Sequence, residues 1–210
     1  MTLHSVKNKN LIWLKSTKVA GSSLRYSIGD SNISIYNYKT IDNTKSVILV
    51  YDYMIDFFKK QFPELWESSY KFNVVRNPYN KVVSGWKYHP YTRNKTLEEC
   101  LRKLTPPDPH PRSFDFYSAL NGSKLDYYSA YIHTTYPQSY VSKQMNLTIY
   151  YENINVDIKK IFPNLNLLHE NKSNNFNDCY LSFHNEATIE LTNQIFKEDF
   201  DCLNYTMIKK

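Results

Sequence analysis

Residues 11–28 read LIWLKSTKVAGSSLRYSI, and this stretch decides the class of fold. Its first four residues are apolar and stand beside polar ones, which is typical of a buried strand. A polar loop follows, and the hydroxyls of Ser22 and Ser23 can cap a helix that begins at Leu24. The stretch therefore predicts a strand, a loop and a helix in succession.

The same alternation continues along the chain. Further apolar runs of strand length lie at 46–50, 72–75 and 147–151. Signals for a helix start lie at Asp52, Pro78, Thr96 and about Asn185. Strands that alternate with helices predict an α/β protein, here a single P-loop-like three-layer domain over residues 1–210. We expect its central sheet to be mainly parallel and flanked by helices.

The composition is that of a folded protein with a positive charge. Hydrophobic residues make up 41% of the 210 residues, and the formal net charge is +6. This charge favours an anionic partner, either a nucleotide, a nucleic acid or an acidic glycan. A nucleic-acid-binding module would cluster basic and aromatic residues on one face, whereas the charges here are dispersed along the chain. A nucleic-acid partner is therefore not expected.

The cysteines and the hydropathy favour a soluble, cytoplasmic protein. Cys100, Cys179 and Cys202 are far apart and lack CxxC spacing, so no zinc or other metal site is predicted. We expect free thiols in a reducing compartment, and the sequence leaves a bridge between Cys179 and Cys202 open. No segment reaches the roughly 18 apolar residues that a membrane span needs, and no signal-peptide core precedes the first strand.

The loop after the first strand has the residue types of a phosphate-binding site. Helix N-termini carry unpaired N–H groups and positive potential, so they attract anions. Ala20 and Gly21 are small enough for the backbone to approach a phosphate. Ser22 and Ser23 add hydroxyl donors, and Lys18 adds a positive charge. This combination predicts that the loop binds a phosphorylated ligand.

The loop differs from the Walker A motif of kinases and ATPases. In that motif the lysine directly follows the second glycine, whereas Lys18 precedes Gly21 by three residues. A P-loop, kinase-like phosphotransferase therefore stays as an alternative, although the sequence lacks the Walker A motif that would be its main support.

Residues 17–24, TKVAGSSL, instead resemble the 5′-phosphosulfate-binding loop of sulfotransferases. Members of the carbohydrate sulfotransferase branch commonly read PKTGGTSL at this place. Two differences are mild: Thr17 stands for the usual proline, and Ala20 stands for the first glycine.

A second motif is residues 72–86, FNVVRNPYNKVVSGW. Arg76 follows the end of a predicted strand, where α/β sheets bind ligands, and Ser84 lies about two helical turns later. A guanidinium can hold a phosphate with two parallel hydrogen bonds, and a serine hydroxyl can add a third. The segment closely resembles the 3′-phosphate-binding segment of the same family, typically FVRNPYDRLVSAY.

Weaker similarities to the family extend the match over most of the chain. They lie at 137–139 (PQS), 150–154 (YYENI), 171–173 (NKS) and 196–205 (FKEDFDCLNY). The middle of the chain, residues 88–133, matches poorly, and we expect it to face the acceptor.

The resemblance implies a sulfotransferase that uses 3′-phosphoadenosine 5′-phosphosulfate (PAPS) as donor and a hydroxyl, on a carbohydrate, as acceptor. It implies no metal. Lys18 would neutralise charge on the oxygen that bridges sulfur and the 5′-phosphate. The 5′-phosphate would lie against Ala20, Gly21, Ser22 and Ser23, and the 3′-phosphate would lie against Arg76 and Ser84.

The acceptor hydroxyl also needs a general base, and imidazole suits this role because its pKa lies near neutral pH. His133 is the first candidate, since it stands just before Pro137-Gln138, where related enzymes often carry a histidine. His89, His110 and a carboxylate are the competing bases. A protein that binds the donor without reacting is a further possibility, and the presence of Lys18, Arg76 and Ser84 argues against it.

Overall fold

The structure is a computed structural model that describes residues 10–28, 38–41, 45–104, 123–167 and 180–209. Its strands are β1 (Leu11–Lys15), β2 (Tyr38–Ile41), β3 (Lys45–Tyr51), β4 (Tyr70–Val75) and β5 (Leu147–Tyr150). Its α-helices are α1 (Gly21–Ser27), α2 (Ile55–Gln61), α3 (Pro63–Ser68), α4 (Pro78–Tyr88), α5 (Pro90–Arg93), α6 (Leu97–Lys103), α7 (Ser123–Thr134), α8 (Ser139–Ser142), α9 (Ile154–Asp157), α10 (Glu186–Ile195) and α11 (Lys197–Leu203).

The five strands form one sheet in the order β2-β3-β1-β4-β5. β1 pairs in parallel with β3 on one side and with β4 on the other, and β4 pairs in parallel with β5. The sheet is therefore mainly parallel and is flanked by helices, which confirms the predicted α/β class. The edge strand β2, antiparallel to β3, was not predicted from the sequence.

The described residues fall into two compact units. The first lies within Met1–Val75 and Val141–Lys172, and the second lies within Arg76–Tyr140 and Ser173–Lys210. The sheet belongs to the first unit. Each unit is described by itself below, and a single domain over residues 1–210 stays a prediction.

The core of the first unit forms because alternate residues of the parallel strands point to one face. Trp13 of β1 and Phe72 of β4 stack on this face with their ring centroids 6.3 Å apart. The other buried apolar side chains of this core are Leu11, Val19, Leu24, Ile28, Val47, Leu49, Tyr70, Val74, Ile149, Ile154, Ile158, Ile161 and Phe162. Every residue of β4 is buried, as expected for a central strand covered on both faces.

The second unit has its own core, built on α4, α6, α10 and α11. The buried apolar side chains are Tyr79, Val82, Val83, Leu97, Leu101, Phe196 and Phe200. The predicted capping box at Thr96 and Glu99 is present and starts α6. The helix predicted over 185–200 is instead two helices, because the backbone at Phe196 leaves the helical conformation between α10 and α11.

Two predicted helix caps are wrong. Ser22 and Ser23 lie inside the first turn of α1, and the N-cap residue is Ala20, which has no side chain to cap with. Asp52 lies in a 3₁₀ turn, Asp52–Met54, and Met54 is the N-cap of α2. In both places the chain tightens into a turn before the helix, so the expected cap residue is displaced.

Cys100 and Cys202 are free cysteines in the described part of the chain, and Cys179 lies outside it. Burial raises the pKa of the Cys100 thiol to about 12. Among the described helices, none combines the length and the apolar character needed to span a membrane.

Candidate functional site

The loop between β1 and α1 has an unusual backbone. Lys18 and Ala20 have positive φ angles of 63° and 59°, in the left-handed region that L-residues avoid at a cost of about 1–2 kcal/mol each. Backbones that alternate between negative and positive φ turn successive N–H groups to one side, the pattern of an anion-binding nest. Such conformations persist where the surrounding structure enforces them, and they cluster at functional sites.

The backbone of Ala20 gives a physical reason why glycine is common at the matching place of the family loop that this sequence resembles. Ala20 is the N-cap of α1, and its carbonyl accepts a hydrogen bond from the Leu24 N–H at 2.9 Å. Its left-handed backbone, with ψ 23°, suits glycine better than alanine. The alanine is therefore accommodated with strain, and the loop keeps a conformation that glycine would adopt freely.

Lys15 is a further cation at this loop, and it was not among the predicted site residues. Burial and then the charge of Arg25 lower the pKa of Lys15, while Asp52 opposes them. Its Nζ lies 4.9 Å from the centroid of the Tyr51 ring. As the last residue of β1, directly before the polar loop, Lys15 could have been found from its position.

Gly21 has a packing neighbour that the sequence did not reveal. A Cβ atom at this position would lie 2.5 Å from Cε of Lys15. The predicted role of Gly21 was to let the backbone approach a phosphate, and in the structure its open side accommodates the Lys15 side chain. The glycine thus allows a second lysine to lie against the loop.

Two polar atoms of this segment fit an anionic ligand. Within the described residues, Oγ of Ser16 and Nε of Arg25 are buried and have no hydrogen-bond partner. A buried donor without a hydrogen-bond partner destabilises the fold by about 1–3 kcal/mol. Such donors are therefore expected mainly where a ligand or a water molecule accepts their hydrogen bond. Ser22 and Ser23 are half-buried in the first turn of α1.

The second predicted motif begins where β4 ends. Arg76 directly follows β4 and is only 6% exposed. The side chain of Asn77 caps α4 by accepting a hydrogen bond from the Tyr79 N–H at 3.0 Å, and Pro78 occupies the first helical position. Ser84 is half-buried on the same helix, about two turns along. The predicted strand–Arg–helix arrangement is therefore present.

His133 lies on α7 with a defined tautomer. Its Nδ1 lies 2.7 Å from the backbone carbonyl oxygen of Ser129. A carbonyl can only accept, so Nδ1 carries the proton, and the neutral ring has its lone pair on Nε2. The Tyr88 ring stacks on this imidazole with a centroid distance of 5.2 Å. A histidine with its lone pair on Nε2 can act as a general base.

His89, a competing base, has a structural role. It is the N-cap of α5, and its Nδ1 accepts a hydrogen bond from the Tyr91 N–H at 3.2 Å. Its Nε2 lies 3.0 Å from Oγ of Ser129, so both ring nitrogens have partners. Burial lowers the pKa of His89, and Asp126 opposes the shift. The other competing histidine, His110, lies outside the described residues.

Helices α4 and α7 bring Ser84 and His133 into the same neighbourhood of the second unit. A Cβ atom at Gly85, the residue after Ser84, would collide with the carbonyl oxygen of His133 and lie 2.7 Å from Cα of Thr134. The backbones of the two helices are therefore in close contact at this glycine. The predicted residues of the first unit, 18 and 20–23, lie in the loop after β1 and in the first turn of α1.

Comparisons of the chain with protein-family models, with curated proteins and with solved structures found no match. Among the side chains that the structure describes, no group of three or more His, Cys, Asp or Glu residues is arranged to hold a metal ion.

Proposed function

We propose that this protein is a sulfotransferase that moves a sulfuryl group from PAPS to an acceptor hydroxyl, on a carbohydrate. One observation carries the proposal: the two motifs that resemble phosphate-binding segments follow β1 and β4, which are adjacent parallel strands. The loop with Lys18 leaves the end of β1, and Arg76 is the first residue after β4.

The strand order supports a ligand at this edge of the sheet. From β1 the chain continues to β2 and β3 on one side, and from β4 it continues to β5 on the other side. β1 and β4 therefore flank a topological switch point, and open α/β sheets bind ligands in the crevice outside the carboxyl ends of such strands. If each motif binds a phosphate, as its resemblance implies, the pair suits a donor that carries phosphate groups at both its 3′ and 5′ positions.

The roles of the residues follow from the charge that the reaction moves. Sulfuryl transfer breaks the bond between sulfur and the bridging oxygen, so negative charge builds on that oxygen. Lys18 would neutralise this charge, and Lys15 and Arg25 add positive potential to the same loop. Preorganised donors of this kind act where charge develops, and losing one typically lowers the rate about 10²–10³-fold.

The acceptor would be deprotonated by His133. With Nδ1 donating to the Ser129 carbonyl, Nε2 is the ring nitrogen that would accept the proton of a hydroxyl as the hydroxyl oxygen attacks sulfur. A carbohydrate is proposed as the acceptor because both motifs resemble the carbohydrate branch of the family.

The experiment is a calorimetric titration of the protein with 3′-phosphoadenosine 5′-phosphate (PAP), with 5′-AMP and with ATP. We expect PAP to bind more tightly than 5′-AMP. Hydrogen bonds to charged groups contribute about 1.5–3 kcal/mol each, so Arg76→Ala should lower PAP affinity about 10–100-fold. Arg76→Lys is the matched control, because it keeps the charge and loses the bidentate geometry.

Equal binding of PAP and 5′-AMP would refute a 3′-phosphate site. Tighter binding of ATP than of PAP would instead favour the kinase-like phosphotransferase. If PAP is preferred, sulfuryl transfer from PAPS to a panel of oligosaccharides, phenols and alkylamines then tests the acceptor class.

A further inference from the structure

Gln138 holds both backbone groups of Arg76. Its side-chain Nε2 donates to the Arg76 carbonyl at 2.9 Å, and its Oε1 accepts from the Arg76 N–H at 2.9 Å. Gln138 is only 1% exposed, so both hydrogen bonds are shielded from water. The strand β4 has ended at Val75, and the glutamine side chain therefore acts on Arg76 as a neighbouring strand would.

Asp199 in turn holds Gln138. Its carboxylate accepts the backbone N–H of Gln138 at 2.9 Å, the N–H of Ser139 at 2.7 Å and Nε2 of Gln138 at 3.2 Å. Asp199 has 0% exposure. Burial raises the pKa of this carboxyl, and the hydrogen bonds from Gln138 and Ser139 oppose the shift.

The carboxylate determines which way the Gln138 amide points. An ionised carboxylate only accepts hydrogen bonds, so the NH₂ end of the amide must face Asp199. That orientation leaves Oε1 for the Arg76 N–H, and the second N–H of Nε2 for the Arg76 carbonyl. A reversed amide would place an acceptor against the Arg76 carbonyl and a donor against its N–H.

We propose that Gln138 and Asp199 are positioning residues that hold the Arg76 backbone in the orientation from which its guanidinium binds the 3′-phosphate of the donor. This role rests on the proposed function of Arg76. A binding side chain must be held within about 0.5 Å of its productive geometry, and buried hydrogen bonds to its own backbone supply such support. The four residues of this network, Arg76, Gln138, Ser139 and Asp199, lie in the second unit.

The test measures the selectivity for the 3′-phosphate, which is the ratio of the 5′-AMP and PAP dissociation constants. Gln138→Met keeps the length of the side chain and removes the hydrogen bonds to Arg76. Asp199→Asn keeps the shape of the carboxylate and replaces one of its two accepting oxygens with an NH₂ group, which can only donate. Thr135→Val is the control, because it deletes a buried hydrogen bond to the Leu104 carbonyl in the same unit without touching Arg76.

We expect each of the first two variants to lower the selectivity at least tenfold, through weaker PAP binding with 5′-AMP binding nearly unchanged. Thr135→Val should keep the selectivity of the wild type. In the double variant with Arg76→Ala, the loss from Gln138→Met should disappear, because the two residues act as one unit.

The outcomes separate this inference from the proposed function. Wild-type protein without a preference for PAP overturns both. A wild-type preference that survives in folded Gln138→Met or Asp199→Asn overturns the positioning role alone, and so does an equal loss of PAP and 5′-AMP affinity. Urea unfolding identifies the folded variants, and if Gln138→Met does not fold, the shape-conserving Asp199→Asn decides.

Discussion

His133 donates a hydrogen bond from Nδ1 to the backbone carbonyl of Ser129, one helical turn earlier on α7. The same serine binds His89 through its hydroxyl, and the two imidazole centroids are 5.7 Å apart. The two histidines therefore share one residue and have opposite tautomers. His89 accepts through Nδ1, whereas His133 donates through Nδ1 and carries its ring lone pair on Nε2.

Replacing His133 by asparagine should lower the turnover number. Losing a general base typically costs about 10²–10⁴ in rate, and the affinity for PAP should change little because the proposed base acts on the acceptor and not on the donor. The measurement is kcat for sulfuryl transfer beside calorimetry with PAP. His89→Asn, which keeps an acceptor for the Tyr91 N–H, is the control. Unchanged kcat in His133→Asn would assign the base elsewhere.

Lys18→Ala should lower kcat about 10²–10³-fold, since it removes one donor from the oxygen on which charge develops. The effect on KM for PAPS should be much smaller, because the interaction strengthens mainly in the transition state. Lys60→Ala, on an exposed position of α2, controls for the loss of one surface charge. A rise in KM without a fall in kcat would mean that Lys18 only binds the ground state.

The sign of an alanine-to-glycine substitution should differ between two sites. Ala20→Gly removes left-handed strain worth about 1–2 kcal/mol, partly offset by about 0.4–1 kcal/mol of unfolded-chain entropy. We therefore expect neutral to slightly higher stability. Ala130→Gly, inside α7, should lower stability by about 1 kcal/mol or more. Urea unfolding measures both, and equal losses would contradict the left-handed backbone at Ala20.

Gly85→Ala should destabilise the fold although alanine is the better helix former. The new Cβ would meet the backbone of His133 and Thr134, which cannot move as a flexible side chain can. Overpacking of this kind costs about 1–3 kcal/mol. Ser84→Ala, one position earlier, is the control for stability, and it should change the free energy of unfolding far less. A Gly85→Ala variant as stable as wild type would contradict the close approach of α4 and α7.

Stability should fall as the pH drops below about 6.5, the ordinary pKa of histidine. Burial lowers the pKa of His89 and of His184 in the folded protein. The unfolded chain therefore takes up protons first, so the stabilisation present above pH 6.5 is lost as pH falls through the folded pKa values. Protonation would also place a hydrogen on Nδ1 of His89. Nδ1 could then no longer accept the hydrogen bond from the Tyr91 N–H, and the two N–H groups would face each other.

Chemical unfolding at several pH values between 5 and 8 tests this dependence. His89→Asn keeps the helix cap but cannot titrate, so its stability should depend less on pH than that of the wild type. A pH dependence identical to wild type would show that His89 contributes nothing to it.

Features that depend on contacts between neighbouring residues could be predicted from the sequence. The sequence predicted the apolar runs that form β1, β3, β4 and β5, and also the capping box at Thr96. Each of these features depends only on residues within one helix or strand, so consecutive residues are enough to predict it. The loop after β1 and the Arg76 motif were also found this way, because their residues lie within one strand–loop–helix segment.

Features that depend on residues distant in sequence became visible only in the folded protein. The order of the strands, the antiparallel edge strand and the contact of Gly85 with His133 arise only when separate elements pack together. Gln138 and Arg76 are 62 residues apart, so no local sequence pattern could show that the Gln138 side chain binds the backbone of Arg76. Long-range hydrogen bonds form only after packing has excluded water, and for that reason the residues that support Arg76 became visible only in the fold.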